Sequence, residues 1–74
     1  MIKLKVLCSK GDEGFECENA SEAKDILAKV EAGELEGISK GRYYLIDQAT
    51  GYVIGKQEIQ EGQMLVAVPV IAGG

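Results

Sequence analysis

The run Met64-Leu65-Val66-Ala67-Val68 limits what this chain can fold into more than any other feature, because it has no polar side to turn to water. A stretch this short, rich in β-branched residues and without alternation, reads as a strand covered on one face and flanked by neighbours within a sheet. No further hairpin partner follows it. Burial is achieved by inserting it beside the first strand, parallel to it, with a helix lying across the sheet.

The preceding sequence supplies those neighbours. Ile2, Leu4 and Val6 alternate with Lys3 and Lys5, the period of a strand with one buried face. Ser9 to Gly14 carries turn chemistry, and Phe15-Glu16-Cys17-Glu18 forms a short return strand. Asn19 followed by Glu22 is a capping-box variant that starts a helix. Ala23, Ile26, Leu27 and Val30 give that helix one apolar stripe, and Gly33 ends it. Glu34 to Gly41 reads as connection, with Leu35 and Ile38 tucked beneath it. The four-residue spacing of Gly33, Gly37 and Gly41 would suit close helix packing, but charged residues lie between them and a loop is the better reading. Arg42 to Ile46 and Tyr52 to Ile54 form a second hairpin around Asp47 to Gly51. Lys56 to Gln63 is polar apart from Ile59, with a turn at Glu61-Gly62.

A chain of 74 residues holds one domain with a shallow core, since a chain of this length buries only about 60% of the surface its unfolded form exposes. Its 46% apolar and 27% charged residues are those of an ordinary globule. No apolar run approaches the ~20 residues of a membrane span, and the charges at Lys3 and Lys5 break any signal-peptide pattern, so a cytoplasmic location is expected. Eight basic against 12 acidic residues give a net charge of -4. That balance disfavours nucleic acid and suits basic protein partners. Cys8 and Cys17, expected on neighbouring strands, read as free, partly buried thiols rather than a disulfide. Histidine is absent from the sequence, which removes His-based zinc sites and Ser-His or Cys-His dyads.

The C-terminal segment carries the specific motif. Glu61-Gly62-Gln63-Met64-Leu65-Val66-Ala67-Val68-Pro69-Val70-Ile71-Ala72-Gly73-Gly74 resembles the end of the MoaD and ThiS sulfur carriers. In those ubiquitin-like proteins an acidic-Gly-acidic turn precedes an apolar strand, a Pro-Val step and a terminal Gly-Gly. The order hairpin, helix, hairpin, final strand is that of the same superfamily. The sequence departs from the pattern at Gln63, at the single Pro69, and in a middle hairpin bearing Tyr43, Tyr44 and Tyr52. The resemblance implies an α+β, ubiquitin-like β-grasp fold, a mixed sheet with the final strand central and parallel to the first. It also implies a domain over residues 1–68 and an extended tail over 69–74.

The resemblance further implies a carrier that is not itself an enzyme and has no catalytic residue of its own. A carboxylate resists sulfur or amine nucleophiles until its oxygen becomes a good leaving group. In the family a separate ubiquitin-activating-type enzyme adenylates the terminus with ATP, and the carrier binds no cofactor. Gly73 and Gly74 suit this, because glycine alone offers no side chain to a narrow channel and accepts almost any backbone conformation. Pro69 would launch the tail, and Val70, Ile71 and Ala72 would anchor it in the partner's groove. One fate of activated Gly74 is a thiocarboxylate that gives sulfur to a synthase subunit in cofactor synthesis; the alternative is an isopeptide bond to a target lysine. A further alternative is a non-covalent binding module with an incidental, frayed terminus.

Leu7, Tyr43, Tyr44, Tyr52 and Ile54 are candidates for an exposed protein-binding patch on the sheet face away from the helix, with core or cross-strand packing as the competing explanation. Membership depends on register, since a one-residue slip swaps faces. Asp12, Glu13, Glu34 and Glu36 converge on nothing that would hold a metal. Gly55-Lys56 lacks a phosphate-binding glycine loop. Seven lysines are possible attachment points that solubility explains equally well.

Overall fold

A computed structural model of the protein describes residues 1–8 and 11–70. It has α+β architecture: β1 (Ile2–Cys8), β2 (Gly11–Cys17), α1 (Ala20–Ala32), β3 (Tyr43–Asp47), β4 (Val53–Ile54) and β5 (Met64–Pro69), with a short 3-10 turn at Lys56–Glu58. The strands form one five-stranded mixed sheet in the order β2-β1-β5-β3-β4. β5 is therefore central. It runs parallel to β1, with Lys3 opposite Met64 and Val6 opposite Ala67, and antiparallel to β3. The insertion expected from the apolar run is the one observed.

Helix α1 starts and stops where local chemistry dictates. The Asn19 Oδ1 accepts a hydrogen bond from the Glu22 N–H at 2.9 Å, satisfying a donor that the first turn leaves free. At the other end Gly33 takes φ 75°, with its N–H donating to the Val30 carbonyl and the Glu34 N–H to that of Lys29. A Cβ on Gly33 would lie 2.8 Å from that of Lys40, so glycine answers both the left-handed backbone and the close passage of the following loop. That loop includes two further positive-φ glycines, Gly37 and Gly41. Beneath it Ile38 is buried and Leu35 half-buried against the core.

Ala23, Leu27 and Val30 of α1 meet Ile2, Leu4 and Val6 of β1, Leu45 of β3, and Leu65 and Ala67 of β5 in one core, which Cys17, Ile38 and Ile59 complete. Every buried residue in it is apolar or a thiol. Leu45 fixes the sidedness of the sheet. Its partners Ala67 and Ile54 share the helix-covered face, and Tyr44, Ile46, Val53, Val66 and Val68 fall on the other.

One expectation is corrected by pairing. Gly11 to Gly14 belongs to β2 rather than to a turn, with Asp12 opposite Leu7 and Gly14 opposite Lys5. These are exposed positions on the sheet's edge, where polar residues and glycine serve a strand as well as a turn. The two cysteines lie on neighbouring strands, as expected, but do not face each other. Cys17 stands opposite Ile2 and Cys8 opposite Gly11, at opposite ends of the hairpin, and both thiols are free. Among the described residues no helix is long and apolar enough to cross a membrane.

Candidate functional site at the end of the final strand

The central position of β5 decides where the C-terminal segment leaves the domain. Hydrogen bonds alternate along this strand. The Gln63 carbonyl accepts from Lys3, whereas the Met64 carbonyl accepts from Gln48 and the Val70 N–H donates to the Arg42 carbonyl at 2.9 Å. Odd-numbered residues thus direct their backbone groups to β1, and even-numbered ones to β3. Pro69 is odd. Its missing N–H faces the β1 side, where strand pairing already stops at Val6–Ala67, and costs nothing on the β3 side.

Proline here ends one ladder and leaves the other running. β5 stays paired with β3 through Tyr43–Pro69 and then through Val70, two residues past the boundary drawn at residue 68. Pro69 and Val70 are half-buried parts of the folded body. The remaining candidate residues, Ile71, Ala72, Gly73 and Gly74, lie outside the described residues.

The exit is braced from the loop before β3. The Tyr43 hydroxyl donates to the Ser39 carbonyl at 2.6 Å, while the Gly41 N–H donates to the Glu31 carbonyl of α1. Burial, with a lesser contribution from the nearby Cys8 thiol, pushes the Tyr43 phenol above its ordinary value of 10.0. Tyr43 is a support for the exit strand rather than a surface group.

The structure divides the five candidate patch residues. Tyr43 and Ile54 pack against the core on the helix side. Leu7 and Tyr44 share the open face, and Tyr52 stands exposed beside it at the tip of the β3–β4 hairpin. The sequence reading missed the larger part of this face: Met64, Val66, Val68, Ile46 and Val53. Tyr44, Met64 and Val53 remain 51%, 51% and 60% exposed, and no element covers them among the described residues. The signal was present in the unalternating run 64–68, since a strand apolar on both sides needs cover on both sides. Here α1 covers only one.

Charge is segregated on the same face. Lys3 and Lys5 of β1 stand opposite Glu16 and Gly14 of β2, and the Lys5 ammonium lies 3.7 Å from the Asp12 carboxylate. The face is thus apolar over β5-β3-β4 and charged over β1-β2. No three His, Cys, Asp or Glu side chains gather into a metal-binding group among the described residues. No family model, no curated protein and no solved structure matches this chain.

Proposed function

We propose that the protein is a ubiquitin-like β-grasp carrier whose reactive group is the Gly74 carboxylate, free as translated or after trimming. The observation that carries this reading is the placement of β5, in the middle of the sheet, parallel to β1 and held by β3 through Val70. A terminus launched from such a strand has a fixed origin and direction. The four residues after Val70 span at most roughly 14 Å when extended. An activating enzyme must therefore bring its ATP site close to the folded body, and the open apolar face beside the exit provides surface for that contact.

The chemistry requires nothing from this chain beyond delivery. The Gly74 carboxylate attacks the α-phosphorus of ATP on a separate enzyme, releasing pyrophosphate and leaving an acyl adenylate. A hydrosulfide-level sulfur nucleophile then attacks the acyl carbon, forming a C–S bond as the bond to the AMP oxygen breaks, so that AMP leaves and a terminal thiocarboxylate remains. The absence of a Cβ at Gly73 and Gly74 keeps the carbonyl under attack uncrowded. The sulfur accepted by a synthase subunit is our preferred fate for this intermediate.

Mass spectrometry of the protein purified from its own host under sulfur-replete growth tests the proposal. The expected species carries sulfur in place of one terminal oxygen, and it disappears on deletion of Gly73-Gly74. Adducts of higher mass that survive boiling in detergent would instead identify a modifier of lysines. Full cellular function in a variant ending at Ala72 would overturn the covalent role altogether, leaving a binding module that works through Tyr44, Val53 and Met64.

A further inference from the structure

β2 is the longer of the two sheet edges, and the ladder shows which of its backbone groups are free. Because the Lys3 N–H donates to the carbonyl of Gln63, the residue just before β5, the odd residues of β1 serve β5 and the even ones serve β2. Ile2, Leu4, Val6 and Cys8 therefore bond to Cys17, Phe15, Glu13 and Gly11. Asp12, Gly14 and Glu16 turn their N–H and C=O groups outward. The opposite edge offers less, since β4 has only two residues and runs into the Lys56–Glu58 turn.

Side chains of the same three residues lie on the open face, and at Gly14 there is none. A Cβ added at Gly14 would meet nothing within 4 Å. The gap forms part of a cleft of about 330 Å³ whose walls include Lys5, Phe15, Glu16 and Met64. Glycine in the middle of an edge strand leaves room for a large side chain from an adjoining strand.

A second copy is a poor occupant. Antiparallel pairing of β2 with itself about Gly14 sets Asp12 opposite Glu16 twice, and directly opposed like charges destabilise a sheet. The geometry points to a different partner: an extended peptide of the pattern basic-x-bulky apolar-x-basic that adds to β2 as an antiparallel sixth strand. Its basic side chains stand opposite Asp12 and Glu16. They continue the alternation in which Lys3 faces Glu16 and Lys5 approaches Asp12, so that each carboxylate lies between two cations. The central apolar side chain fills the space over Gly14. This interaction is independent of any chemistry at Gly74.

The test uses the full chain, isotope-labelled, and a capped synthetic peptide Thr-Lys-Val-Phe-Val-Lys-Thr. Saturable binding is expected, with slowed amide exchange at Asp12, Gly14 and Glu16 and weakening by salt. A peptide with Glu in place of both Lys should bind about tenfold or more weakly. Methylating the peptide amides of its Phe and two Lys residues should abolish binding to the unaltered protein. Gly14→Pro should do the same while leaving the sheet folded, because the Gly14 N–H points away from β1 and its φ is not positive. Equal affinity for the Glu peptide, unchanged exchange at the three amides, or shifts confined to Tyr44, Val66 and Val68 would each overturn the inference.

Discussion

Cys17 is fully enclosed in the core, and burial, followed by the Glu22 carboxylate nearby, raises its thiol above the ordinary value of 9.0. Tyr43 is raised in the same direction from 10.0. Both groups lose a proton to become charged, so a raised value means that the folded state holds the proton more tightly than the unfolded one. Their contribution is complete below the unfolded values and is lost as pH rises through the folded ones. Urea unfolding should therefore show both contributions steady through neutral pH and declining from about pH 9 upward. Cys17→Ala should remove the early part of that decline and Tyr43→Phe the later part. An unchanged alkaline profile in the double variant would refute the assignment.

Among the elements, α1 is specified most locally. Asn19→Ala removes the side-chain acceptor for the Glu22 N–H and should lower stability by about 1 kcal/mol in chemical denaturation. Asn19→Ser should restore most of it. The same local character made the helix legible in the sequence: cap, stripe and terminal glycine lie within one short segment. The second hairpin was equally legible, because Asp47 caps its own turn through the Ala49 N–H and Gly51 takes φ 77°. β2 was not. Asp12, Glu13 and Gly14 have no buried side, so no hydrophobic period separates an edge strand from a turn. The end of β5 was misjudged for a related reason. Proline signals a lost donor, but which neighbouring strand loses it depends on the parity of the ladder, and parity belongs to the assembled sheet.

At the scale of the molecule, the radius of gyration of 11.4 Å equals the roughly 11 Å expected of a compact domain of this length. That compactness is achieved with one helix covering one side of the sheet, and the uncovered side tests how stability is distributed. Tyr44→Lys and Val53→Lys should each change unfolding free energy by no more than roughly 0.5 kcal/mol. Leu65→Ala, across the same sheet but buried beneath α1, should cost about 2–5 kcal/mol. Equal losses at the three positions in urea titrations would show that the open face is not energetically separate from the core. The sequence contained this face in its five-residue apolar run, yet left Tyr43 and Tyr44 interchangeable, because their assignment rests on the partner Val68 rather than on either tyrosine. The parallel neighbours β1 and β5 have a mechanical consequence as well. β1 begins near one end of the chain and β5 finishes near the other, so tension applied between the termini slides the two strands past each other. The bonds from Lys3–Met64 to Val6–Ala67 then share the load and must rupture together, whereas a hairpin pulled open at its mouth yields one rung at a time.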